Sequence, residues 1–197
     1  MLKKDLNQMN LVEFLNFATN YPSLYKLEND ETDWIFFTQF DLQGTQLLVI
    51  DASFVPDASN GLLIELSPGS YQIDAKATKC NDEYAISRLR VVRLNTTAQC
   101  RAKIGETWTD TALTGICDYQ TFSLIWEKDA QAAWNKIASN LNSSAWAGIA
   151  VLDKDAGAVM PFVQSGAGDG IYPVFELSDN QVRVGIEIEF LVNILGQ

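Results

Sequence analysis

Ser165-Gly166-Ala167-Gly168-Asp169-Gly170-Ile171-Tyr172-Pro173-Val174-Phe175 sets three glycines, one acid and a Tyr-Pro pair directly ahead of a strand-like run. Val159 to Val163 before it and Tyr172 to Leu177 within and after it both have strand composition, so the order is strand, glycine loop, strand. A phosphate loop or dinucleotide fingerprint needs a strand that turns into a helix, so Gly166-Ala167-Gly168 is neither. Alternating βα units with a glycine-rich first turn are absent from the rest of the chain too, which argues against a parallel α/β fold.

Working outward, the neighbouring segments repeat the strand signal. Tyr71, Ile73, Ala75 and Ala77 alternate with Gln72, Asp74, Lys76 and Thr78, the period of a half-buried strand. Tyr84 to Leu94 continues it with a mixed register, and Cys80-Asn81-Asp82-Glu83 reads as the hairpin turn between the two. Trp34 to Phe40, Gln46 to Phe54, Leu62 to Leu66, Trp146 to Leu152 and Val182 to Leu191 are further strands, and Thr107 to Asp118 reads as two short strands about a turn. Turns are expected at Asp41 to Gly44, Ser67-Pro68-Gly69-Ser70, Asp153 to Gly157 and Ser178-Asp179-Asn180.

Two segments carry helical spacing instead. Leu6, Met9, Leu11, Phe14, Leu15 and Ala18 form an apolar stripe that Asn20-Tyr21-Pro22 ends. Phe122, Ile125, Trp126, Ala130, Ala133, Trp134, Ile137 and Leu141 form a wider one, ended by Asn142-Ser143-Ser144. The expected fold is α+β, mainly antiparallel β, either sandwich-like or one strongly curved sheet. A helix within residues 1–22 and one long central helix at 119–141 complete it. With 197 residues, no internal repeat and no low-complexity linker, a single domain covers 1–197, with β-rich parts at 34–118 and 145–191.

Composition narrows the chemistry. The chain has no histidine, which removes every Ser-His, Cys-His and His-metal arrangement. Cys80, Cys100 and Cys117 are odd in number and lack C-x-x-C spacing, so neither a disulfide framework nor a zinc ribbon is expected. The net charge of −11 repels phosphate backbones and disfavours nucleic-acid partners, while it would steer the chain toward a basic protein partner. Polar residues from Asp5 to Glu13 interrupt any signal-peptide core, and no run has the length of a membrane span. A cytoplasmic location with no membrane association, no cofactor and no metal is expected.

The residues left to carry a site are few. In the glycine loop, Ser165, Gly166, Gly168 and Gly170 would let a backbone approach a ligand, with Asp169 and Tyr172 at the rim. A tight turn in which Asp169 bonds its own loop amides is the structural alternative. Asp110 and Asp118 flank Leu113 to Cys117 and would meet in one pocket if that segment folds back; exposed strand-end acids are the plainer reading. Arg88, Arg90, Arg93 and Arg101 cluster in an otherwise acidic chain, placed either to bind a carboxylate or phosphate or to pair with nearby acids. Asp153-Lys154-Asp155-Ala156-Gly157 lacks the later ligands of a calcium loop and is a turn.

Several landmarks recur in one order: Ser67-Pro68-Gly69-Ser70-Tyr71, Asp110-Thr111 to Gly115-Ile116-Cys117-Asp118, and Ser165-Gly166-x-Gly168-Asp169-Gly170-x-Tyr172-Pro173-Val174. Over about residues 45 to 190 this resembles a bacterial family of domains of unknown function whose C-terminal motif is S-G-W-G-D-G-x-Y-P-V. Ala167 stands where that family carries Trp, and Gln72-Ile73 where it carries Pro-Val. The resemblance implies a mixed, strand-rich fold and no reaction.

Two functions follow as expectations. The first is a protein-binding or interaction module, such as an immunity-type protein that neutralises a basic, toxin-like partner. The alternative is a small-molecule or carbohydrate-binding domain, or a weak carboxylate-based hydrolase. It requires Asp110, Asp118, Asp169 and Tyr172 to converge on a pocket at the glycine loop.

Overall fold

The computed structural model describes residues 9–20, 31–54, 56–57, 59–80, 83–141, 147–166 and 168–190. Residues 1–8 and 21–22 of the expected N-terminal helix, the centre of the hairpin turn at Asn81-Asp82, and Asn142-Ser143-Ser144 lie outside the described residues. Within them the fold is the expected α+β, mainly antiparallel β. The strands are β1 (Ile35–Leu42), β2 (Gln46–Asp51), β3 (Gly61–Glu65), β4 (Gly69–Cys80), β5 (Glu83–Arg93), β6 (Cys100–Thr109), β7 (Leu113–Asp118), β8 (Ala147–Asp153), β9 (Ala158–Gln164), β10 (Gly170–Asp179) and β11 (Val182–Glu189). The helices are α1 (Leu11–Asn20) and α2 (Tyr119–Leu141).

Two antiparallel sheets stack as a sandwich. One has six strands in the order β1-β4-β5-β11-β10-β6, the other five in the order β3-β2-β7-β9-β8. Inward residues of both, among them Ile73, Ala75, Leu89, Val91, Val174, Ile186 and Ile188 from the first and Leu47, Val49, Ile116 and Val163 from the second, make one core. A second core lies on the other side of the five-stranded sheet, where Leu48, Ile50, Cys117, Leu152, Met160 and Phe162 meet Phe122 and Ile137 of α2. This explains the unbroken apolar run Leu47 to Ile50. β2 is covered on both faces, so alternation disappears, and each fully buried Leu or Ile contributes about 1.5–3 kcal/mol. The six-stranded sheet keeps its period-two pattern because α2 covers only the five-stranded sheet and the outer face of the six-stranded one carries no helix among the described residues.

The mixed register of Tyr84 to Leu94 has a local cause. Lys76 faces Arg88 while Ala77 faces Ile86, so Ser87 is an extra residue in β5. Tyr84 and Ile86 point inward before it, Leu89 and Val91 after it, and Arg88 and Arg90 are left on the outer face. Three other expectations shift. The strand expected from Thr107 begins at Cys100, because its first half is an exposed sheet edge with no apolar period. The long helix breaks at Asp129, which leaves helical geometry (φ −161°, ψ 85°) and accepts the Ala132 N–H at 2.9 Å as the cap of a second segment. The last hairpin turns at Asn180-Gln181, both with positive φ, one residue later than expected.

α1 starts with a reciprocal cap: Asn10 Oδ1 accepts the Glu13 N–H at 3.0 Å, and Glu13 Oε2 accepts the Asn10 N–H at 3.3 Å. Its Leu11, Phe14 and Leu15 join the inter-sheet core. No helix among the described residues is long and apolar enough to cross a membrane.

Candidate functional site

The glycine loop is a crossover. It takes the chain from β9 in the five-stranded sheet to β10 in the six-stranded one, and beside it Asp110 to Ala112 takes β6 back to β7. The two crossovers are laced together by buried polar groups. The Ser165 N–H donates to the Ala112 carbonyl at 2.8 Å, and the Ser165 and Thr114 hydroxyls lie 2.6 Å apart in the interior. Within the loop the Gly168 N–H reaches the Ser165 carbonyl at 2.7 Å. The Tyr172 hydroxyl donates to the Gly168 carbonyl at 2.6 Å, with the Ser165 carbonyl at 3.2 Å, and the Thr109 hydroxyl donates to Gly168 at 3.3 Å. Gly168 has φ +125°, a conformation that side chains oppose, so this loop needs glycine for its own turn. Burial, and then the Asp169 carboxylate, push the Tyr172 hydroxyl above its ordinary value of 10.0.

A residue that sequence reasoning passed over organises this end. Asp51, fully buried at the end of β2, accepts N–H bonds from Asp110 (2.7 Å), Thr111 (2.8 Å) and Ser53 (2.9 Å), and the Thr111 hydroxyl at 2.6 Å. The signal was an acid closing the unbroken apolar run Leu47 to Ile50, since an acid carried into the interior by such a run must find donors. Asp110 itself is exposed and contributes its amide to Asp51.

Asp118 sits at the other end of the sandwich. It closes β7, whose six residues put it about 17 Å from Leu113 and the Asp110 turn. Its Oδ2 accepts the Gln43 and Gly44 N–H groups at 2.8 and 2.6 Å, and its Oδ1 caps α2 through the Thr121 N–H at 2.9 Å. Beside it lies a void of about 10 Å³, room for about one water. Its neighbour Cys117 is fully buried, and burial first, then the Asp118 charge, hold the thiol well above 9.0. The expected convergence therefore fails. The structure groups Asp110, Ser165, Gly166, Gly168, Asp169, Gly170 and Tyr172 at one end, with Gly170 opposite Thr109, and leaves Asp118 at the other. Among the described residues no three Cys, Asp or Glu side chains come together as a metal site would require.

The larger cavity lies elsewhere, on the outer face of the six-stranded sheet. One cross-strand row runs over all six strands: Phe36, Asp74, Arg90, Glu187, Phe175 and Lys103. The next is Gln39, Gln72, Val92, Gly185, Leu177 and Arg101. A Cβ at Gly185 would lie 2.0 Å from the Val91 carbonyl oxygen, so no side chain fits there, and the row has a dip at its centre. A cleft of about 480 Å³ occupies this region, walled by Trp34 on one side and by the 94–99 connector on the other.

Its floor is ionic. Asp74 and Glu187, only 3% and 6% exposed although they stand on the solvent side of the sheet, are covered by guanidinium groups. Arg90 pairs with Asp74 at 2.9 Å and lies 4.2 Å from the Trp34 ring centre. Arg101 pairs with Glu187 at 3.0 Å and Glu189 at 2.6 Å and stacks on Phe175 at 3.3 Å. Arg88 bridges Glu31 at 3.2 Å and Glu187 at 3.5 Å. Of the four clustered arginines, three are thus ion-paired with nearby acids, one of the two roles expected for them. Arg93 is different: its guanidinium donates to the Pro68 carbonyl at 3.3 Å, and among the described residues no carboxylate lies in ion-pair range.

No protein-family model matches the chain, no curated protein matches it, and no solved structure matches it.

Proposed function

We propose that the chain is a non-catalytic binding module that engages a protein partner through the outer face of the six-stranded sheet. The observation that carries this reading is the cross-strand row Asp74, Arg90, Glu187, Phe175 and Lys103. It is a surface on which buried carboxylates hold guanidinium groups in place beside aromatic carbon and a cleft. Such a face favours specificity, because a partner must meet guanidinium groups whose positions the buried Asp74 and Glu187 fix. Next to it, β6 presents an exposed sheet edge from Cys100 to Ile104, a template for main-chain pairing. The glycine-loop alternative has less support, since Asp118 stands at the opposite end of the sandwich from Asp110 and Asp169, and the Ser165 and Tyr172 hydroxyls are taken by the Thr114 hydroxyl and the Gly168 carbonyl.

The partner class that fits the net charge of −11 is a basic protein, as an immunity-type role would require, and the landmark resemblance to a bacterial domain family is compatible with that role. The whole-chain charge steers the encounter, and the mixed-charge face docks. Co-purification with the product of the neighbouring gene, followed by titration calorimetry at low and high salt, tests it. A complex that weakens as salt rises is expected. Glu106→Lys, an exposed position beside the row, should weaken it about tenfold, and Glu127→Lys, exposed on α2, about twofold or less. No complex, or equal loss from both variants, sinks the reading.

A further inference from the structure

The cleft on the six-stranded sheet holds one cation more than its acids neutralise. Its lining includes Arg90, Arg93 and Arg101 against Asp74 and Glu187, and the first and third arginines are already spoken for by those two carboxylates. Around the rim, Lys76 and Arg88 are offset by Glu31 and Glu189, so the surplus of one survives when the wider array is included. The surplus sits on Arg93.

Arg93 is exposed, and its side chain has one main-chain contact. Gly69, with φ +147°, leaves space under the guanidinium: a Cβ there would lie 3.3 Å from Nη2. The Pro68 carbonyl takes one of its five donors. This exposed side chain thus has one contact that aims its fork at the mouth of the cleft and four donors left for a ligand. Beside it, the connector 94–99 has further donors to offer. The Leu94, Thr96 and Gln99 amides are used by the Ser70, Arg93 and Ser178 carbonyls, whereas those of Asn95, Thr97 and Ala98 have no acceptor among the described residues.

We infer that this cleft is a binding site for a small organic monocarboxylate, with the Arg93 guanidinium as its ion-pair partner and the 94–99 connector supplying neutral donors. A single negative charge matches the surplus of one, whereas a phosphate dianion would face Asp74 and Glu187 with its second charge uncompensated. The fork of a guanidinium fits the two coplanar oxygens of a carboxylate. Trp34, Val92 and Leu177 give the remainder of such a molecule apolar surface. This site is additional to the protein-docking role and needs no partner to be observed.

The test is an amide proton–nitrogen NMR titration of the full chain with sodium benzoate, its neutral counterpart benzamide, and inorganic phosphate, all at constant ionic strength. Benzoate should shift the amides of residues 93–99 saturably, with benzamide leaving them in place and phosphate acting more weakly than benzoate. Arg93→Gln should keep the dispersed spectrum of the folded chain and weaken benzoate about tenfold. Equal shifts from benzamide, a stronger response to phosphate, a non-saturating response, or an unchanged benzoate affinity in Arg93→Gln would each overturn the assignment. None of these results depends on the partner complex, so the two readings fail separately.

Discussion

The crossover end of the sandwich and the outer face of the six-stranded sheet both bury carboxylates, and they satisfy them in opposite ways. At the crossovers Asp51 takes backbone N–H groups and a threonine hydroxyl, while at the far end Asp118 takes three amides. Each of these two carboxylates is met by neutral donors of an adjoining turn, and the result is a turn closed on itself. On the sheet face Asp74 and Glu187 take guanidinium groups, whose donors outnumber the acceptors they meet. The difference separates stability from binding. The glycine-rich end holds the two sheets in register, and the arginine-rich face is where polar capacity remains.

That contrast breaks most easily at Asp51. Asp51→Ala removes the shared acceptor of three amides and a hydroxyl at the crossover end, with Ser53 Oγ left to the Thr111 hydroxyl at 2.9 Å, and should lower unfolding stability by about 2–3 kcal/mol in urea titrations. A loss below about 1 kcal/mol would mean that the crossovers are not held by this carboxylate. Arg90→Leu should have a smaller effect, about 1–2 kcal/mol in the same titrations, because Arg90 is about a third exposed and Asp74 keeps the Gln72 amide at 2.7 Å. Were it to cost as much as Asp51→Ala, the sheet face would be a structural element on a par with the crossovers. The smallest effect has the opposite sign. Ala112 holds φ +57° in the crossover, so Ala112→Gly should raise stability by about 0.5–1 kcal/mol, read as a shift in the urea midpoint.

Much of this architecture is legible in side-chain period. Alternation along Tyr71 to Thr78 identifies β4 and its inward face, and the strand-loop-strand context of Ser165 to Phe175 excludes a nucleotide loop before any contact is known. The helical stripe from Phe122 to Ile137 identifies the covering helix, although not its break at Asp129, where an exposed cap residue interrupts the helix without disturbing the apolar spacing. The first half of β6 escapes because an exposed edge strand has no buried face to impose a period. The register of β5 escapes because one extra residue, Ser87, inverts the alternation halfway along.

The candidate site was less legible, and for a different reason. Clustering of Arg88, Arg90, Arg93 and Arg101 in sequence signalled an ionic feature. Arg88 and Arg101 meet Glu187 only because β11 enters the sheet between β5 and β10, almost a hundred residues on from Arg88. Composition and period thus determined by themselves the α+β class, the antiparallel pairing and the absence of imidazole chemistry, because these follow from local geometry and residue type. Tertiary structure alone decided that the segment between Asp110 and Asp118 does not fold back to bring them to one pocket, that Asp51 anchors the glycine-loop end, and that Arg93 keeps a free charge over a cleft. Those are distances between segments remote in the chain, and only the order of strands in the two sheets fixes them.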